Sequence, residues 1–251
     1  MRLLLLFGGF IAGLIDAIAG GGGLISLPLL IFAVGRPVEA IGSNKIVGTV
    51  GALVALLVYR KAGHLDWRKG LAFTVWVTLG SFFGSSTAPF IPSSWFRWMI
   101  LAICPILIWV VWRKDLWIER VQAEHIKRSR WVSFFDPKLM LSGLGCGFYD
   151  GAFGPGGGTF MFFGLFFVVK LPLLTAMAVT KLSNTCSAGM ALIKYASGGY
   201  VHWVEGSLVA VGIGFGAYFG ARLANKRAAQ IVRPVFTVVV VLLVLKLVME
   251  R

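Results

Sequence analysis

The 251-residue chain is 58% hydrophobic and only 14% charged, with a mean hydropathy of +0.85, whereas a soluble domain carries about 25% charged residues. That excludes a soluble globular protein and defines an integral membrane protein. The formal net charge is +14, but Lys and Arg sit between apolar runs, the pattern of positive-inside anchoring to a lipid bilayer rather than of nucleic-acid binding.

In chain order the apolar runs fall at 3–19, 24–35, 40–59, 70–91, 96–112, 137–153, 159–169, 173–195, 203–223 and 234–249. The N-terminal run ends near Ala17-Ile18-Ala19 and resembles a leader with a small-residue cleavage site, but its last part returns deep in the chain, so it is read as part of the fold. The second and seventh runs are too short to cross ~30 Å of hydrocarbon. They are read as half-helices, each joined to the preceding helix through a glycine break. Irregular backbone at membrane depth must be covered by protein or line a water-filled cavity, which places the glycine clusters inside.

Ile15-Asp-Ala-Ile-Ala-Gly-Gly-Gly-Gly-Leu24 returns as Tyr149-Asp-Gly-Ala-Phe-Gly-Pro-Gly-Gly-Gly-Thr159. At an offset of 136, Lys45, Tyr59, Gly63, Trp67 and Gly70 meet Lys181, Tyr195, Gly199, Trp203 and Gly206. Gly80, Gly84 and Ala88 meet Gly216, Gly220 and Ala224, a small-residue ridge in both halves. The ordered series marks a duplication: repeat one over 1–113, a polar connector over 114–135, and repeat two over 136–251, in a single transmembrane domain.

Basic residues cluster in segments 60–69, 113–133 and 222–233. Setting all three in the cytoplasm satisfies the positive-inside rule. Segment 60–69 then faces in, while its counterpart near 196–205, without Lys or Arg, faces out. Equivalent loops on opposite sides predict inverted repeats, with both termini outside the cell membrane. The predicted fold class is an all-α polytopic membrane protein of about 8–10 hydrophobic segments, broken or re-entrant at the glycine clusters.

Asp16 follows Gly9, Ala12 and Gly13 at helical spacing, and Asp150 follows Gly143, Cys146 and Gly147, so each carboxyl points at a neighbouring helix rather than lipid. An ionisable group in a span is a functional candidate by default. Two readings stay open for both aspartates: coupling or gating, and structural pairing with a buried lysine. Lys45 and Lys181 each follow a proline and are read as opening a long helix, with Ser43, Asn44, Thr180, Ser183 and Asn184 beside them. A lysine at a helix N-terminus makes an anion site; the competing reading is snorkelling to the interface. Gly21, Gly22 and Gly23, with Gly156, Gly157 and Gly158, lack the Lys-Ser/Thr ending of a nucleotide loop and better suit an oxyanion held by backbone N–H groups.

Cys104, Cys146 and Cys186 lie in apolar stretches without metal-site spacing and are expected as buried free thiols. His64, His125 and His202 fall in separate connectors, so neither a metal nor another cofactor is expected. Lys170 and Lys194 near helix ends are expected at the interface, as are Trp95, Trp98, Trp109, Trp112 and Trp117.

On Asp-Ala-Ile-Ala-Gly-Gly-Gly-Gly-Leu with Pro28 downstream, Pro37-Val-Glu-Ala-Ile-Gly-Ser-Asn-Lys45, and Gly154-Pro-Gly-Gly-Gly158 with Pro172 to Lys181, the chain resembles the TauE/SafE sulfite exporter family over nearly its whole length. The resemblance implies a multi-pass transporter of small sulfur-containing anions such as sulfite, sulfoacetate or other organosulfonates. Alternating access of the two repeats is the mechanism that follows, and the oligomeric state, including a homo-oligomer, stays open. The alternatives are a transporter of another small anion, and an intramembrane enzyme or assembly factor. The chain has no Gly-x-Ser-x-Gly and no histidine in a span, so no catalytic residues are expected.

Overall fold

The computed structural model describes residues 1–91 and 134–249, with side chains for all of these except Ala19 and 227–249. The run at 96–112, the five tryptophans between 95 and 117, Cys104, His125 and nearly all of the connector lie outside the described residues. Every regular element among the described residues is helical. In order they are α1 (Arg2–Ala19), α2 (Gly23–Val34), α3 (Pro37–Lys61), α4 (Trp67–Thr87) with a closing 3₁₀ turn, α5 (Pro137–Ala152), α6 (Gly157–Phe163) running into a π-helical turn at Gly164–Val168, α7 (Leu173–Ser197) and α8 (Trp203–Met249).

Local chemistry sets these boundaries. Pro37 and Pro137 occupy the first turns of α3 and α5, where a missing N–H costs nothing. Asp66 and Asp136 cap α4 and α5 by accepting the N–H of Lys69 and Lys138. After α3 and α7, Gly63 and Gly199 turn the chain at φ 78° and 75°. Gly35, at the end of α2, is also left-handed, and its counterpart after α6 is Lys170 at φ 60°, the one non-glycine at positive φ among the described residues.

The segments Pro37–Lys61, Trp67–Phe90 and Trp203–Lys226 are long and apolar enough to cross a membrane. α2 has 12 residues and so rises about 18 Å, half a crossing, as its sequence requires. The structure corrects the sequence reading at the C-terminal end. The runs 203–223 and 234–249, expected as separate spans around a basic connector, form the single 47-residue α8, about 70 Å long. Segment 222–233 is helical, since a change from apolar to basic side chains does not interrupt backbone hydrogen bonding.

Packing follows the glycine ridges. α1 lies along α8 and α5 along α4, each so close that one helix's glycines touch the other's backbone. A Cβ on Gly13 would stand 2.8 Å from the Ala217 nitrogen, and one on Gly147 2.8 Å from the Val77 Cα. Looking the other way, a Cβ on Gly216 would meet the Leu14 nitrogen at 2.9 Å and one on Gly80 the Phe148 nitrogen at 2.8 Å. Contact positions rise together in both pairs, so the partners run parallel. The first helix of each repeat thus packs on the last described helix of the other. α3 and α7 instead run antiparallel, with Gly42 against Tyr195 and Gly48 against Ala188. Apolar side chains such as Leu3, Phe7, Phe83, Phe215 and Phe219 cover the outside, a surface suited to hydrocarbon.

Candidate functional site

The site forms where the two glycine breaks meet. Gly20, at φ 75°, ends α1 and lies against Gly158. Gly154 and Gly156, at φ 93° and 76°, make the corresponding turn after α5. These left-handed conformations are ones that only glycine adopts without strain. Both turns aim the N-terminus of a half-helix, with its positive dipole end, at the molecular interior.

Asp16 and Asp150 stand in the last turns of α1 and α5, over those N-termini. Gly22 donates its N–H to Asp16 Oδ1 at 3.2 Å. A Cβ on Gly22 would lie 2.5 Å from the Asp16 Cβ, and one on Gly157 2.8 Å from the Asp150 Cβ. Gly22 and Gly157 therefore make room for the carboxyls, a different role from the anion cradle expected of them.

The lysines cross between repeats. Lys181 Nζ donates to Asp16 Oδ2 at 2.6 Å and to the Asp16 carbonyl at 2.5 Å. Lys45 Nζ donates to the Asp150 carbonyl and lies 3.5 Å from Asp150 Oδ2. All four side chains are buried, at 2–6% exposure, so each charge depends on its partner in place of water. The sequence reading needs one correction. Lys45 and Lys181 are each the ninth residue of their helix, more than two turns from its start. They reach the site from mid-helix, so the positive helix ends nearby belong to α2 and α6, and neither lysine snorkels.

The two pairs are not identical. Asp150 Oδ2 also accepts the Ser187 hydroxyl at 2.5 Å, while repeat one carries Gly51 in the place of Ser187. Asn44 Oδ1 accepts from Ser26 at 2.6 Å, and its amide nitrogen faces Gly23 just as that of Asn184 faces Gly158. Asn184 sits one turn beyond Thr180, the residue aligned with Asn44, so the asparagines keep a symmetry in space that they lack in sequence. Together Asp16, Asp150, Lys45, Asn44, Asn184 and Ser26 line a cavity of about 30 Å³, floored by Gly20, Gly23, Gly154, Gly156 and Gly158. That volume holds about two waters.

Other expected ligands are elsewhere. The Ser183 hydroxyl shares a 2.9 Å hydrogen bond with Thr74 at the α4–α7 contact. Thr180 is buried with its hydroxyl unpartnered, outside the cavity lining. Gly21 also lies outside it. Cys146 and Cys186 are unbridged but half-buried rather than fully enclosed, and Lys194 lies over the Phe82 ring at 4.9 Å. Ser26 and Ser187 were missed by sequence reasoning. The signal for Ser26 is a hydroxyl in an apolar helix just past the first glycine cluster, and Ser187 lies one turn beyond Ser183 and Asn184 on α7.

Tyr59 and Tyr195 brace the breaks. The Tyr59 hydroxyl donates to the Ala17 carbonyl at 2.8 Å, and that of Tyr195 to the Gly151 and Ala152 carbonyls at 3.1 and 3.2 Å. These carbonyls end α1 and α5, where no intrahelical donor remains. Tyr59→Phe is expected to cost about 1–2 kcal/mol, read as a lowered melting temperature in detergent.

Two broken helices meeting at buried ion pairs inside an apolar-surfaced helical bundle define a membrane protein of transporter architecture. The chain belongs to the TauE/SafE family, whose "Sulfite exporter TauE/SafE" model matches residues 5–247. It is 33% identical to a probable membrane transporter protein, ORF9, of a Sinorhizobium species, over 95% of this chain and 88% of that one. It is 31% identical to probable membrane transporter proteins of Haemophilus influenzae, over 97% and 92% of the two chains, and of Escherichia coli K12 (YfcA), over 94% and 85%. No solved structure matches. The family makes this chain a membrane transporter.

Proposed function

We propose that the protein exports small sulfur-containing anions, such as sulfite, sulfoacetate or other organosulfonates, across the inner membrane by alternating access of two inverted repeats. The observation that carries this reading is the convergence of both half-helix N-termini on one cavity that also holds Lys45, Asn44 and Asn184. Backbone N–H groups, two amides and an ammonium form a donor set for oxyanion oxygens. The basic segments face the cytoplasm and the N-terminus faces out in this arrangement.

Inversion is supported by the antiparallel course of the equivalent helices α3 and α7. It is supported also by their connectors. The turn after α7 packs on the start of α3, where the backbone N–H of His202 donates to Ser43 Oγ at 2.8 Å; the equivalent turn at 62–66 follows the end of α3. The cavity's small volume fits a contracted state that opens to one side at a time as the repeats move, with Asp16 and Asp150 gating or coupling that movement. An enzymatic role finds no support at this site, where each aspartate is held by a lysine and no hydrogen bond joins the two carboxyls among the described residues.

The test is transport by reconstituted full-length protein. At least one of sulfite, thiosulfate and sulfoacetate is expected to move; failure of all three under pH gradients of both signs removes the reading. Lys45→Ala is expected to weaken the apparent affinity for the transported anion by about 10- to 100-fold, the loss of one charge-assisted hydrogen bond.

A further inference from the structure

The two ion pairs differ in a way that assigns them different work. Lys181 is bound to two oxygens of Asp16, at 2.5 and 2.6 Å, and lies behind the cavity wall. Lys45 lines the cavity and also donates to its aspartate's carbonyl, but its 3.5 Å separation from Asp150 Oδ2 is longer than a normal hydrogen bond. The oxygen that Lys45 fails to reach closely is already taken by Ser187 at 2.5 Å. Asp150 therefore keeps a partner if Lys45 turns away, and Asp16 has no such hydroxyl, because Gly51 stands in the corresponding place.

The charges impose a condition on binding. Two lysines and two aspartates sum to zero at this buried site, so an anion entering alone would leave uncompensated negative charge in a low-dielectric interior. A proton taken from solvent onto Asp150 removes one unit of that charge and frees Lys45 from its ionic partner. An O–H bond forms on the carboxylate, the acid shares its proton with Ser187 Oγ, and the Lys45 ammonium pairs with the anion. The charged or titratable groups facing Asp150 are Lys45 from α3 and Tyr195 from α7, with Cys146 on its own helix and Asp16 across the cavity. Among these, Lys45 is the cation positioned to change partners.

Building on the transport reading above, we infer that Lys45–Asp150 is an exchangeable pair that admits an anion only with a proton on Asp150, while Lys181–Asp16 is a fixed strut between the repeats.

The experiment uses full-length protein in liposomes containing a pH-sensitive dye, with thiosulfate and sulfoacetate as probes because both are fully ionised near neutral pH. Wild type is expected to move at least one proton with each anion. Asp150→Asn should lower that proton-to-anion ratio by about tenfold or more, as the lost group is the proton carrier, and should make the anion flux insensitive to pH across the neutral range. Asp16→Asn should lower thermal stability yet keep the wild-type ratio in whatever flux remains. Ser187→Ala supplies a reading if Asp150→Asn is inactive: its half-maximal pH should shift by about half a unit or more in either direction. A wild-type ratio in Asp150→Asn overturns the inference. So does a ratio lost in Asp16→Asn, or an unmoved pH midpoint in Ser187→Ala. If wild type moves neither of these anions nor sulfite, the transport reading itself falls and the inference with it.

Discussion

Lys181→Ala is expected to destabilise the folded protein by about 3–5 kcal/mol, the cost of leaving a buried carboxylate without its partner. Asp16 is 6% exposed and loses both contacts from the ammonium; the Gly22 N–H at 3.2 Å is the one hydrogen bond its carboxylate keeps. The measurement is thermal or denaturant unfolding in detergent. Asp16→Asn combined with Lys181→Met should recover most of the loss, because the double change removes both charges at roughly constant volume. Lys45→Ala should cost less than Lys181→Ala, since Asp150 retains the Ser187 hydroxyl. Equal losses at the two lysines would contradict the division of roles between the pairs.

The second large effect separates two glycines of the same helix. A Cβ on Gly147 would press into the Val77 backbone, 2.8 Å from its Cα, whereas one on Gly145 meets nothing within 4 Å. Gly147→Ala should therefore force α5 off α4 and cost about 3 kcal/mol or more, at the upper end of overpacking penalties. Gly145→Ala should be neutral or stabilise by up to about 1 kcal/mol, because the helix gains backbone order without a clash. Melting temperatures of the two variants, side by side, decide this. Gly13→Ala should behave like Gly147→Ala, its Cβ meeting the Ala217 nitrogen at 2.8 Å.

Much of the architecture was legible in the residues. Half-helices at the second and seventh runs follow from length alone, and α2 and α6 begin at Gly23 and Gly157. The small-residue faces around Asp16 and Asp150 correctly placed both carboxyls against protein. Lys45 and Lys181 lie buried beside the glycine breaks, but neither opens its helix. A proline marks where a helix can start, yet says nothing about which turn reaches a site in the folded chain. Thr180 and Ser183 illustrate the same limit: adjacency to Lys181 in sequence turns them to other faces of α7, because successive helical residues point about 100° apart.

By itself the sequence determined the membrane class, the two glycine breaks and the presence of buried charge in each half. These are properties of composition, run length and local backbone freedom, all carried by residues near one another in the chain. Only the tertiary structure decided that each lysine pairs with the other repeat's aspartate. It alone brought Asn44 and Asn184 to matching places and gave Ser187 to one pair and not the other. Those choices rest on how closely glycine ridges let α1 approach α8 and α5 approach α4, and on the antiparallel crossing of α3 and α7. Such distances between remote segments arise from packing the whole bundle, and no local pattern encodes them.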